Sequence, residues 1–210
     1  MKPAVSDPPE IERVLWKGFG GDVGWDVGAN CGQSYEEMTT RFGTTLAFEP
    51  AEECWPHLRA LADARYQMLP VGLSDVDGTI DLVELPDKID TGQLVTAGTV
   101  GMEWNPEHPD ARTRRVTSYT ADTMIAAGAD APDFLKIDVE GHELKVLYGA
   151  KKLLAVHRPD LLIEFHAPHL HRSIVDMLES YDYDVFTIRH PHYRPGTQMW
   201  FQHGWVRARQ

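Results

Sequence analysis

Segments of strand period alternate with segments of helix period along most of this chain, and that alternation restricts its fold more than any other feature. Residues 23–27 read as a strand, followed by a glycine-bearing loop. A helix then carries Tyr35, Met38 and Phe42 on one face at spacings of three and four. Residues 44–48 form a second strand, stopped by Pro50. Pro56 suits the first turn of the next helix, whose Leu58, Leu61 and Ala62 face inward, and 66–71 is a third strand. After an irregular stretch the rhythm returns with strand 134–139, helix 142–148, a short helix 150–156, strand 160–165 and helix 168–181. Two closing strands, 184–188 and 197–201, are joined without a helix by the turn 190–196. This order predicts an α/β protein with a doubly wound, mostly parallel sheet and an antiparallel hairpin at one edge.

Residues 73–120 break the alternation. Asp77-Gly78, between Leu73 and Ile80, predicts a hairpin turn into a strand over 79–85, and 114–120 predicts another strand. The stretch 86–115 reads as an irregular insertion facing the substrate, because loops at a sheet's carboxyl edge carry specificity. Trp104, His108 and the arginines of Arg112-Thr113-Arg114-Arg115 are its candidate contacts. With no repeat or linker, residues 1–210 are expected to form a single domain.

The formal net charge is -12, and the densest basic cluster is that short arginine run. A nucleic-acid groove draws its affinity from clustered Lys and Arg, so a nucleic-acid partner is not expected. Cys31 and Cys54 are the only cysteines, which gives neither a disulfide framework nor a zinc ligand set. The first residues carry no apolar signal region, and no apolar run reaches the ~20 residues a spanning helix needs. A cytoplasmic protein with no membrane partner is the expectation.

The first strand ends in Asp26-Val27-Gly28-Ala29-Asn30-Cys31-Gly32. In open α/β sheets, ligands sit at the carboxyl ends of strands where the strand order reverses. Gly28 and Gly32 let backbone approach a ligand closely. Asn30 replaces the middle glycine of a dinucleotide fingerprint, and a carboxylate at Asp26 repels a pyrophosphate. The same carboxylate suits a ligand carrying an ammonium and a sulfonium. Glu49 ends the second strand, where it can accept from both ribose hydroxyls. Either acid alone would pass for a solvated strand end; together they favour a nucleoside ligand, with a nicotinamide dinucleotide as the alternative. Ser74-Asp75, after the third strand, is placed either to meet an adenine edge or simply to make a turn.

The segment Phe134-Leu135-Lys136-Ile137-Asp138-Val139-Glu140-Gly141-His142-Glu143 places charged groups at the end of a central strand. Period-two alternation sets Lys136, Asp138 and Glu140 on one side, where they are too costly to bury unpaired. A structural ion-pair network is the competing explanation. Taken in order, DVGANCG, Phe48-Glu49-Pro50, GLSD, DFLKIDVEGHELKVLYGA and RPDLLIEFH resemble the FkbM family of methyltransferases. The resemblance implies a class I methyltransferase (Rossmann-like) fold, a seven-stranded sheet of order 3-2-1-4-5-7-6 with strand 7 antiparallel. It implies methyl transfer from S-adenosyl-L-methionine, usually to a hydroxyl of a sugar, lipid or other natural product. Carried over by position, Asp26, Gly28, Ala29, Asn30 and Gly32 would cradle the methionine part of the cofactor. Glu49 and Pro50 would hold the ribose, Ser74 or Asp75 would lie near adenine, and Asp138 would face the sulfonium and the acceptor. Asp122 matches a short signature upstream and reads first as a helix cap.

Methyl transfer to a neutral hydroxyl gains from a positioned base, and the candidates are Asp138, His142 and His166, with Glu140 beside them. His142 at a helix N-terminus would have its cationic form disfavoured, leaving the imidazole free to accept a proton. His166, His169 and His171 lie close in sequence with Glu164 nearby, but that spacing forms no recognised metal set, and no metal is expected. A cofactor-binding interaction module without turnover is a further alternative to an enzyme.

Overall fold

In the computed structural model of the chain, residues 16–84, 112–166, 168–189 and 202–208 are described. The elements run β1 (Gly21–Val27), α1 (Tyr35–Arg41), β2 (Phe42–Phe48), α2 (Trp55–Leu61), β3 (Tyr66–Leu69), β4 (Gly72–Leu73), β5 (Gly78–Glu84) and β6 (Arg112–Tyr119). They continue with α3 (Ala121–Ala126), β7 (Phe134–Ile137), α4 (Glu143–Tyr148), β8 (Asp160–Phe165), α5 (Pro168–Ser180), β9 (Tyr183–Arg189) and β10 (Gln202–Ala208). Seven strands form one sheet in the order β3-β2-β1-β7-β8-β10-β9. The first five are mutually parallel, and β10 runs antiparallel between β8 and β9. This is the doubly wound sheet with an antiparallel edge hairpin that the alternation predicts, in the class I order.

Burial explains the register. Trp25 and Val27 of β1 point to one face, where Leu46, Phe48, Leu135, Ile137, Leu161 and Ile163 join them in the main core. The opposite face of the same strands buries Phe134 against Trp16, Phe19 and Phe42, with the Phe42 and Phe134 rings stacked at 5.0 Å. Phe42 is the first residue of β2 rather than the last of a helix face. The chain leaves α1 in extended geometry at that position, φ -120°, and no loop intervenes. The closing strand is β10, beyond the expected 197–201, which lies outside the described residues together with the turn 190–196. Its buried Val206 sits in register with Leu161 on one side and Val185 on the other, which anchors the strand there.

The 73–120 region does not form the expected hairpin between Leu73 and Ile80. Both β4 and β5 pair with β6 instead, parallel and antiparallel respectively, giving a separate three-stranded sheet. Arg112 to Arg115 therefore belong to a strand and not to the irregular insertion, while Trp104 and His108 lie outside the described residues. Among the described residues no helix is long and apolar enough to cross a membrane.

Asp122 does cap a helix, but not its own. Thr120 is the N-cap of α3, accepting from the Thr123 N–H at 3.0 Å. The Asp122 carboxylate instead accepts from Lys152 N and Leu153 N, both at 2.9 Å, where the helical segment leading to Leu153–His157 begins. Losing these two bonds leaves orphan donors at that helix start, so Asp122→Ala should lower the unfolding free energy by about 1–2 kcal/mol. Urea denaturation measures this; a loss below about 0.5 kcal/mol would show that the cap contributes nothing.

Candidate active site

The carboxyl ends of β1, β2 and β7 bound an open cleft. β1 lies between β2 and β7, so the cleft sits where the strand order reverses. Its floor is the loop after β1. Gly28 N and Ala29 N donate to the Phe48 carbonyl at 3.0 and 3.1 Å, which fastens the loop to the end of β2. Gly28 takes φ +80°, and a Cβ there would lie 1.8 Å from the Asp138 carbonyl oxygen, so glycine is required where the β1 and β7 ends converge.

Glu49 is 6% exposed and both carboxylate oxygens are engaged by backbone: Asn30 N donates to Oε2 and Ala51 N to Oε1, each at 2.8 Å. Burial pushes its pKa up to about 7, against the pull of those two donors. Pro50, Ala51, Gly72, Leu73, Ile80 and Leu82 line the apolar side of the cleft. The last four come from β4 and β5, so the small second sheet forms one wall.

The other side is charged. Lys136 Nζ lies 3.1 Å from Asp26 Oδ1, 3.4 Å from Asp138 Oδ2 and 3.5 Å from the Gly28 carbonyl oxygen. Burial works against its charge, but the Asp26 and Asp138 carboxylates outweigh it and hold the ammonium protonated. His166, at the end of β8, sits behind Asp138 and Glu140. Its Nδ1 donates to Glu143 Oε1 at 2.8 Å, and that oxygen also accepts from Gly141 N at 2.8 Å. Its Nε2 lies 3.6 Å from each of Asp138 Oδ1, Glu140 Oε2 and Glu164 Oε1. Burial opposes a positive charge on His166, yet Glu140, Glu143 and Glu164 raise its pKa well above the ordinary histidine value.

The sequence-derived residues therefore divide into two groups. Gly28, Asn30, Glu49, Pro50, Asp138, Glu140 and His142 line the cleft. Asp26 is fully buried beneath the loop against Lys136 rather than facing a ligand. Ala29 packs with Leu58, Leu61 and Tyr66, and a Cβ on Gly32 would meet Leu61, so both serve the packing of the loop on α2. Ser74 is fully buried; its Oγ donates to Asp75 Oδ1 at 3.0 Å and lies 2.9 Å from His142 Nε2. The Asp75 side of that turn is exposed. Lys136 and Asp138 do lie side by side, 3.4 Å apart, but Glu140 leaves that face, because β7 ends at Ile137 and Glu140 adopts φ +52° in the turn. His171 stands edge-on to Phe165 at 4.8 Å. Sequence reasoning missed Glu143 as the partner of His166 and missed Ile80 and Leu82 as cleft walls. The former is 23 residues away, and the latter depended on pairing β5 with β6 across the insertion.

The sequence and fold match known proteins. The model of the methyltransferase FkbM domain matches residues 26–185. The hexuronic acid methyltransferase AglP of Haloferax volcanii is 29% identical over 162 residues, covering 75% of this chain and 61% of that protein. The structure of an FkbM methyltransferase from Methylobacillus flagellatus superimposes with TM-score 0.59 at 20% identity, over 88% of this chain and 43% of that one. A precorrin-6y C5,15-methyltransferase from Geobacter metallireducens gives 0.55 at 11% identity, over 98% and 90%. The chain thus spans less than two thirds of the length of AglP and of the FkbM structure, but the family model covers most of it, and the chain belongs to the FkbM methyltransferase family.

Proposed function

We propose that this chain is an S-adenosyl-L-methionine-dependent O-methyltransferase acting on a hydroxyl of a small, sugar-type acceptor. One observation carries the reading: a single cleft joins a buried ribose-type acceptor, Glu49, and an apolar wall to an acidic end built from Asp138 and Glu140. The donor set fits the cofactor. Glu49 oxygens can accept ribose hydroxyls in addition to their backbone donors, and the slot between Pro50, Leu73, Ile80 and Leu82 suits a flat purine. No Lys or Arg is among the described residues that line the cleft to meet a pyrophosphate, whereas the acidic end favours an ammonium and a sulfonium. When bound, the cofactor supplies an electrophilic methyl carbon. A sugar acceptor is supported by the hexuronic acid methyltransferase relative.

The chain's own contribution is orientation and proton handling. Asp138 borders the cleft with its side chain 23% exposed, close to its Lys136 and His166 neighbours, which supports it as the group that takes the hydroxyl proton. His142 is a poorer base through Nε2, because the Ser74 hydroxyl proton is directed at Asp75 and leaves Oγ to accept from that nitrogen. His166 is a positioning residue behind Asp138 and Glu140. Asp138→Asn should lower kcat about 10²- to 10⁴-fold; a change below about tenfold would move the base role elsewhere.

S-adenosylhomocysteine should raise the thermal midpoint while NADH leaves it unmoved, and the reverse result would establish the dinucleotide alternative. Glu49 adds a pH signature. Its pKa is raised from 4.5 to about 7 in the fold, so the stability it contributes is fully present below pH 4.5 and lost as the pH rises to about 7. Ribose hydroxyls donate to the ionised form, so cofactor binding should strengthen over the same rise. Isothermal titration at pH 6 and pH 8 checks this. Glu49→Gln should weaken binding about 10- to 100-fold, the worth of one or two hydrogen bonds to a charged group, and should remove the pH dependence.

A further inference from the structure

We propose that Asp138, Glu140 and His166, with Glu164 beside them, bind one divalent first-row cation at the acceptor end of the cleft. This rests on the methyltransferase reading and deepens it by naming what activates the acceptor. The ligand atoms of Asp138, Glu140 and His166 lie within 4.8 Å of one another. His166 Nε2 stands 3.6 Å from one oxygen of each of three carboxylates. Two donors each ~2.1–2.2 Å from a shared ion at a tetrahedral angle are ~3.5 Å apart, close to the 3.6 Å found for each carboxylate.

The imidazole is set for such a role from behind. Glu143 is fully buried and holds Nδ1–H at 2.8 Å, while a backbone N–H fixes the same oxygen. A carboxylate on the far nitrogen is the usual means of aiming a metal-binding histidine and raising its basicity. Imidazole with carboxylates selects ions such as Mn²⁺ or Zn²⁺ over Ca²⁺. The ligands come from three separate points of the chain: the end of β7, the turn after it and the end of β8. They are not the sequence-adjacent trio of His166, His169 and His171; the His171 ring is turned against Phe165.

Asp138 and Glu140 are 23% and 28% exposed and border the cleft, so an ion between them and His166 keeps positions open toward an acceptor. A hydroxyl held by the ion is more acidic. Its proton passes to Asp138 Oδ2, the oxygen on the Lys136 side, while Oδ1 faces the ion. The oxygen then forms the new bond to the methyl carbon as the carbon–sulfur bond breaks and sulfur keeps the electron pair. The rival arrangement is an imidazolium held by ion pairs alone, with no ion.

Chelator-treated protein titrated with Mn²⁺ separates these, reading free Mn²⁺ by electron paramagnetic resonance and heat by calorimetry, with S-adenosylhomocysteine binding measured on the same sample. We expect one Mn²⁺ per chain, and at least about tenfold weaker binding in Glu140→Gln and in Asp138→Asn, each verified as folded by its thermal transition. Absence of saturable Mn²⁺ binding in protein that still binds S-adenosylhomocysteine overturns the ion site and leaves the methyltransferase reading standing. Mn²⁺ binding that both variants retain at full strength overturns the assignment to these ligands. Failure to bind S-adenosylhomocysteine, whatever Mn²⁺ does, counts against the methyltransferase reading instead.

Discussion

The site depends on a buried ammonium. Lys136 enters the sheet beside Asp26, in register with it across β1 and β7, and bridges it to Asp138 at the strand end and to the Gly28 carbonyl of the loop. Removing either carboxylate would leave a nearly buried charge without a full complement, which is far more costly than the pair is worth. The ammonium thus holds the two strand ends between which the cleft opens. It also confines the β1 loop to a path so close to Asp138 that only glycine fits at position 28.

From that clamp the cleft acquires a polarity. At the β2 end a single carboxylate, Glu49, is fastened by backbone N–H groups, and the walls contributed by β4 and β5 are apolar. At the β7–β8 end, Asp138, Glu140, Glu143 and Glu164 surround His166. A neutral purine and ribose suit the first end and cationic groups suit the second, an arrangement opposite to what a dinucleotide needs. Two thiols, Cys31 and Cys54, pack under Asn30 with their sulfurs 2.8 Å apart and help seat the loop against the segment after β2.

Much of this was legible in the sequence because the signals were local. Strand and helix periods set the order of elements, Gly28 marked the loop, and Glu49 and Asp138 sat at strand ends where any open α/β sheet places its ligands. What failed to show depended on tertiary direction. Asp26 and Ser74 have site-like chemistry, yet one turns beneath the loop to Lys136 and the other inward to His142. Alternation predicted one face for Lys136, Asp138 and Glu140, but the left-handed turn at Glu140 ends the period and swings its carboxylate to His166. The pairing of Glu143 with His166 joins residues on different elements, and no periodicity encodes it. The strand pairing across the insertion was hidden for the same reason: β5 and β6 meet only after a long excursion of the chain.

The account stands most directly on chemistry at the acceptor. Incubation with methyl-labelled S-adenosyl-L-methionine and a panel of hexoses, hexuronic acids and other hydroxylated small molecules, read by mass spectrometry, decides it. The account predicts label on a hydroxyl oxygen of a sugar-type acceptor. Label appearing on carbon or nitrogen, or no transfer to any acceptor by protein that binds the cofactor, would contradict it.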